Sequence, residues 1–318
     1  MNTLPGPRPG ARIALTGATG FIGRNLALTL RHRGHPVRAL ARRPGSAGEL
    51  AAAGCELLRG DLNDRDALQD LVRDCDYVVH LAGAVRGASY RAFHRVNVEG
   101  SRNLFLVLAG QPAPPRLLFY SSLAAREPRL SWYGRSKKAA EDALRETAVA
   151  TLPWTILRPP AVYGPGDREL LPLLRTMARG VAPLPGAASS RVSLLHVDDA
   201  VSATLACLGA DGALGGTFPL DDGREGGYSW RDIAETVGGL RARRVRLLSL
   251  PRPLLNLVAG ANLLSARLLG SAPMLTPSKL RELRHPDWVA DNAAIKAATG
   301  WQPTIGLSAG LATLPGIG

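Results

Sequence analysis

The stretch Arg12-Ile13-Ala14-Leu15-Thr16-Gly17-Ala18-Thr19-Gly20-Phe21-Ile22-Gly23 decides the fold. An apolar run ends in a glycine-rich turn and continues into a helix-forming segment. That order makes a phosphate site. Gly17 permits the tight turn, Gly20 lets the backbone approach a pyrophosphate, and Gly23 allows close helix–strand packing. The backbone at Phe21 and Ile22 opens the helix and faces the negative charge. The spacing is GxxGxxG, and in this context it predicts a bound dinucleotide.

Outward from this turn, short apolar runs alternate with helical stretches, the pattern of a doubly wound parallel α/β sheet. Candidate strands are 12–16, 37–41, 55–59, 77–81, 117–121 and 154–158, with helices near 21–33, 64–73, 89–109 and 134–148. Gly34, followed by Pro36, stops the first helix. After Pro159-Pro160 the alternation decays into Pro/Gly-rich stretches. The reading is a loose leader over 1–10 and a Rossmann-type dinucleotide domain over 11–163, with return segments near 192–235. A smaller, mostly helical substrate domain follows over 164–318.

The chain of 318 residues is 46% hydrophobic, enough for a large core. Its three cysteines (Cys55, Cys75, Cys207) form neither a zinc spacing nor an even disulfide framework, so no metal site is expected and a reducing, cytoplasmic compartment is. The net charge is +13, but only four of the 39 basic residues are lysine. No aromatic-interleaved basic motif accompanies the arginines, which argues against nucleic acid as a partner.

The residue after the second strand separates NAD from NADP. An acid there would bond the ribose 2′-hydroxyl and repel a 2′-phosphate. This chain reads Ala39-Leu40-Ala41-Arg42-Arg43, with no acid and two guanidiniums. Guanidinium matches phosphate bidentately, so NADP(H) is the expected cofactor and Arg42 its clamp, against a plain solvated arginine as the alternative.

Tyr133-Gly134-Arg135-Ser136-Lys137 carries the chemistry, together with Ser121-Ser122 at the end of an apolar run. Hydride addition to a carbonyl carbon leaves a developing alkoxide that needs a proton and hydrogen-bond donors. Tyr133 can supply the proton. Lys137, one helical turn on, is expected to lower the phenol's pKa by its charge. Ser122 is preferred to Ser121 as the donor to the substrate oxygen. Asn97 is read either as an anchor for a water or backbone kink, or as purely structural.

These pieces resemble the extended short-chain dehydrogenase/reductase superfamily across nearly the whole chain. The matching segments are 16–23, GDLND (60–64), HLAG (80–83), NVEG (97–100), YSS (120–122), YGRSK (133–137), LRPPAVYGPGD (157–167) and LHVDDA (195–200). The resemblance implies that Asp61 and Leu62 flank the adenine and that Leu81, Ala82 and Gly83 line the ribose. It also implies that Pro159 to Val162 meet the nicotinamide carboxamide, and that Lys137 holds the nicotinamide ribose. His196, Asp198 and Asp199 match a segment of structural role. Dimerisation is the family habit; the residues leave monomer and homodimer open.

The substrate is less legible. Ten residues separate Ser122 from Tyr133, fewer than expected for nucleotide-sugar enzymes, which suggests an open pocket for a long apolar substrate. Segment 239–270 holds six arginines and no acid, interleaved with leucine pairs. It reads either as a peripheral contact with the inner face of the cytoplasmic membrane or as ordinary helices burying leucine. Residues 80–87, 281–289 and 298–303 are similar to a bacterial subgroup of sphingolipid synthesis. That similarity implies an NADPH-dependent reductase of 3-oxo-ceramide or 3-oxosphinganine. A nucleotide-sugar epimerase or dehydratase is the alternative, and a non-catalytic NADPH-binding scaffold subunit the second.

Overall fold

The computed structural model describes residues 6–148, 152–269, 272–273 and 275–317. The first half runs β1 (Ile13–Thr16), α1 (Phe21–His32), β2 (Val37–Ala41), α2 (Gly48–Ala52), β3 (Glu56–Arg59), α3 (Arg65–Val72) and β4 (Tyr77–His80). It continues with α4 (Tyr90–His94), α5 (Ser101–Ala109), β5 (Arg116–Tyr120), α6 (Trp132–Thr147) and β6 (Trp154–Arg158). The second half holds β7 (Ala161–Tyr163), α7 (Leu171–Ala178), β8 (Val181–Leu184), β9 (Arg191–Val192), β10 (Leu194–His196) and α8 (Val197–Gly209). Then come β11 (Thr217–Pro219), β12 (Tyr228–Ser229), α9 (Trp230–Leu240), β13 (Arg246–Ser249) and α10 (Arg252–Leu269). The chain closes with α11 (Pro277–Leu283), β14 (Asp287–Trp288), α12 (Ala293–Thr299) and α13 (Leu307–Ala312).

Seven parallel strands pair in the order β11-β6-β5-β4-β1-β2-β3. β1, β2 and β4 are buried at every position, as strands covered on both faces must be. One face is closed by α1 and α8 through Leu26, Leu30, Val201 and Leu205, the other by α3, α5 and α6 through Leu68, Leu104 and Leu144. A third cluster, centred on Tyr163, Leu174, Ile233 and Leu311, holds the mostly helical C-terminal part together.

The six strands read from the sequence are present; the seventh, β11, lies within the expected return segment 192–235 but is not among the strands read there. It is three residues long, ends in Pro219 and follows Gly215-Gly216, so it carries almost no strand signal. A sheet edge tolerates that proline. The helix expected over 89–109 is interrupted by a π turn at Arg95–Gly100. Of the leader, residues 1–5 lie outside the described residues. From Gly6 onward it follows the body: Arg8 pairs with Asp76 at 2.8 Å, and an added Cβ on Gly209 would lie 2.3 Å from the Gly6 carbonyl oxygen.

Candidate active site

Strand order reverses between β1 and β4, and open α/β sheets bind ligands beyond the carboxyl ends of strands at such a point. The glycine turn stands there. Gly17 has φ +74°, and a Cβ on it would lie 2.6 Å from the Ala82 nitrogen. A Cβ on Gly23 would lie 2.2 Å from the Gly17 carbonyl oxygen. The turn is therefore wedged between Leu81-Ala82 and the first turn of α1. Gly20 caps α1 without a side chain, and the first helical turn holds no acid, which leaves its amides to an anion.

The two strand ends are tied by a buried crosspiece. Thr16 Oγ1 meets His80 Nδ1 at 2.6 Å, His80 Nε2 meets Ser101 Oγ at 2.8 Å, and Ala82 N–H donates to Thr16 Oγ1 at 3.3 Å. Burial, assisted by the Lys137 charge, pushes the His80 pKa down to about 3, so the imidazole is neutral. Beyond β3, Asp61 is exposed and Leu62 is buried against Gly100. Arg42, directly after β2, is exposed and makes no ion pair among the described residues. An uncapped helix start, a turn with no room for a Cβ and a free guanidinium at the second strand fit a nicotinamide dinucleotide.

Tyr133 and Lys137 share one face of α6, whose start is set by Ser131, the N-cap that accepts from Gly134 N–H at 2.9 Å. Tyr133 is half-buried, its ring 6.2 Å from that of Phe93. The structure separates the two serines. Ser121 turns inward and donates to Glu141 at 2.5 Å, while Ser122 Oγ accepts from Ala124 N–H at 3.2 Å and stands near enough to the Tyr133 phenol to oppose the rise in its pKa. Lys137, 5% exposed, donates from Nζ to the Tyr120 carbonyl at 2.6 Å. The same ammonium lies 3.5 Å from where a Cβ on Gly83 would stand. Pro159 is buried and accepts from Leu123 N–H at 2.9 Å, and Val162 lies in β7 beside Leu195 of β10.

One electrostatic expectation is corrected. Burial pushes the Tyr133 phenol up to about 12, with Glu282 adding to the rise and the nearby Ser122 hydroxyl opposing it. Lys137 does not lower it in this state; its Nζ is engaged with the Tyr120 carbonyl. The phenol stays protonated, as a proton donor must. Burial also lowers the Lys137 pKa to about 8, against the opposing pull of Glu141. A lysine so shifted is charged below that value and neutral above it. We therefore expect kcat/KM for the dinucleotide, which reports free-enzyme groups, to fall as pH rises through about 8. A profile flat to pH 10 would remove the Lys137 charge from cofactor capture.

Two supporting residues stand out. Asn97, in the π turn, accepts from Ala84 N–H at 2.6 Å and donates to the Ala84 carbonyl at 3.0 Å and to Ser136 Oγ at 2.9 Å. It pins the segment after β4 to α6. Of the two readings of Asn97, this one is a backbone anchor. Glu141, fully buried, takes a forked pair of bonds from Arg158 at 2.8 and 2.6 Å in addition to Ser121. Sequence reasoning passed over Glu141. Its signal was an acid on the buried stripe Lys137, Ala140, Glu141, Leu144.

The C-terminal segment spans the side left by the short 123–132 loop, so the loop's brevity does not by itself leave that side uncovered. Trp132 N–H donates to Ser278 Oγ at 2.8 Å, Arg281 Nε to the Leu130 carbonyl at 3.1 Å, and Arg126 Nη1 to the Val289 carbonyl at 2.6 Å. Lys279 Nζ stands 5.7 Å from the centre of the Tyr133 ring and is paired with Glu282. Asp199 accepts from Thr304 and Ile305 N–H at 3.0 and 2.9 Å, which ties the chain's end to α8.

Residues 13–218 match the NAD dependent epimerase/dehydratase family. The chain belongs to that family, the extended branch of the short-chain dehydrogenases/reductases, and is an oxidoreductase of that type binding NAD(P). It is 37% identical over 282 residues to a ceramide reductase of Caulobacter vibrioides (88% of this chain, 86% of that one). It is 33% identical over 212 residues to a 2-alkyl-3-oxoalkanoate reductase of Stenotrophomonas maltophilia (60% of this chain, 63% of that one). Among solved structures it resembles MoeE5 in complex with UDP-glucose and NAD, with TM-score 0.73, 26% identity and 96% of this chain and 97% of that one covered.

Proposed function

We propose that this protein is an NADPH-dependent reductase of a ketone on a long-chain lipid, most specifically 3-oxo-ceramide or 3-oxosphinganine, working in the cytoplasm. The observation that carries the reading is a protonated phenol at Tyr133, with the Ser122 hydroxyl beside it, one helical turn from a buried Lys137. The dinucleotide, when bound, supplies the hydride. Gly17, Gly20, Phe21, Ile22 and Gly23 hold its phosphates, Asp61 and Leu62 its adenine, and Leu81 to Gly83 and Lys137 its riboses. Pro159 and Val162 face its carboxamide. Tyr133 gives its proton to the oxygen of the ketone as hydride adds to its carbon, and Ser122 donates a hydrogen bond to the same oxygen. The 37% identity to a ceramide reductase over most of both chains supports the lipid class.

Glu282 adds a second support. Its Oε1 is paired with Lys279, whereas Oε2 is buried with no partner among the described residues. A buried acceptor left unmatched is costly, and a substrate donor offsets that cost. The nitrogen next to the ketone of a sphingoid base, an ammonium or, once acylated, an amide N–H, is such a donor; the carboxylate of a 3-oxo acid is not. Purified protein is therefore expected to oxidise NADPH with detergent-solubilised 3-oxosphinganine or its N-acyl form, and far more slowly with a 2-alkyl-3-oxo acid. Turnover of a UDP-sugar panel with no lipid turnover would overturn the proposal in favour of the epimerase reading. Dinucleotide binding with no consumption in any arm would favour the scaffold.

For the cofactor, the acid that selects NAD belongs at position 42, because Ala41 is 4% exposed and closes β2. Arg42→Asp removes the guanidinium and repels a 2′-phosphate. It is expected to lower the NADPH/NADH ratio of kcat/KM by roughly 100-fold, the worth of a bidentate charged contact. An unchanged ratio refutes the Arg42 clamp.

A further inference from the structure

α10 carries two apolar stripes on different faces. Leu255, Ala259 and Ala266 are buried, the first two against Leu280 of α11. Leu254, Leu257, Val258, Leu264, Leu268 and Leu269 are 42 to 79% exposed. At about 100° per residue the two sets centre about 135° apart, so the second stripe points away from the body. Six large aliphatic side chains on one face are not the scattered single exposures of an ordinary surface.

The charge along this segment has one sign. All six arginines of 239–270 are exposed, none makes an ion pair among the described residues, and the segment holds no acid. Where this segment leaves α9, Arg241 joins Arg175 and Arg179 in lining an open depression of about 460 Å³. Among the described residues no helix is long and apolar enough to cross a membrane. α10 is about 27 Å long at 1.5 Å per residue, the scale of a helix lying in the headgroup layer. A second copy of the chain would bring like charges together on the same face. An anionic lipid surface satisfies both the leucines and the guanidiniums.

We propose that the outward face of α10, with the exposed arginines of its segment, docks this protein on anionic lipid bilayers. The inference deepens the lipid-ketone reading and rests on it for its purpose. α10 packs on α11, and α11 is latched to α6 beside Tyr133 through Ser278. The docked surface thus lies one helix layer, about 10 Å, from the helix that meets the reacting tyrosine. A substrate held in the bilayer would have a short transfer to the site.

The test is flotation of the full chain with vesicles of phosphatidylcholine alone or containing phosphatidylglycerol, with no ketone present. Binding to the anionic vesicles is expected, weakening about tenfold or more in neutral vesicles and in the triple variant Leu257→Glu, Leu264→Glu, Leu268→Glu. Retained dinucleotide affinity in that variant shows that it folds. No binding by the wild type, or binding untouched by the triple variant and reversed by inorganic phosphate, would overturn docking through the apolar stripe. A wild-type dimer that the same variant dissociates, seen by light scattering, would assign the face to self-association instead. Turnover of detergent-solubilised ketone is measured separately, so failure to dock and failure of the reductase reading are distinguishable.

Discussion

Tyr133→Phe is expected to lower turnover by roughly 1,000-fold while changing dinucleotide affinity by no more than about threefold. The substitution removes one oxygen and keeps the ring that packs against Phe93 at 6.2 Å. What is lost is the proton donor beside Ser122. Burial holds the phenol neutral up to about 12, so the wild-type group is ready to donate across the physiological range. Removing a general acid leaves the hydrogen bond from Ser122 and the binding of the reactants, which accounts for a residual rate above the uncatalysed one. Single-turnover kinetics with saturating NADPH would separate this from a binding defect. A variant retaining more than about a tenth of wild-type turnover would remove Tyr133 from the acid role.

Gly17→Ala is expected to weaken dinucleotide binding by about 100-fold or more and to destabilise the fold by about 1–3 kcal/mol. Two independent costs act at one position. The backbone there has φ +74°, which an L-residue with a Cβ adopts only under strain, and the new carbon would lie 2.6 Å from the Ala82 nitrogen. Relief requires the turn to withdraw from Leu81-Ala82, which moves the amides at the start of α1. Gly20→Ala is the control: a Cβ there meets only the Gly17 carbonyl oxygen, at 3.2 Å, and has no positive φ to hold. It should weaken dinucleotide binding with a melting temperature near that of wild type. Equal thermal losses in the two variants would show that the close approach of the turn to Leu81-Ala82 is not what holds it.

The parallel half of the fold was legible because its code is local. β1 and β4 are buried on both faces and read as unbroken apolar runs, and glycine announces the turn that follows β1. β11 escaped notice because an edge strand needs few residues and no pattern. The π turn escaped because one residue of register slip leaves the helical periodicity almost unchanged, yet it sets Asn97 against Ala84 and Ser136.

At the site, the sequence by itself determined which side chains share an element. Tyr133 and Lys137 meet on one helical face because four residues make one turn, and the serine pair ends a strand because the apolar run stops there. Tertiary structure alone decided what surrounds them. It turned Ser121 to Glu141 and left Ser122 for Tyr133, since alternate residues at a strand end point to opposite sides. It also brought Lys279 and Glu282 from about 150 residues away to the tyrosine, and set the phenol's pKa through burial rather than through Lys137. Burial and long-range contact are properties of the packed chain. No spacing along the sequence encodes them, because they depend on which surfaces the folded elements leave for one another.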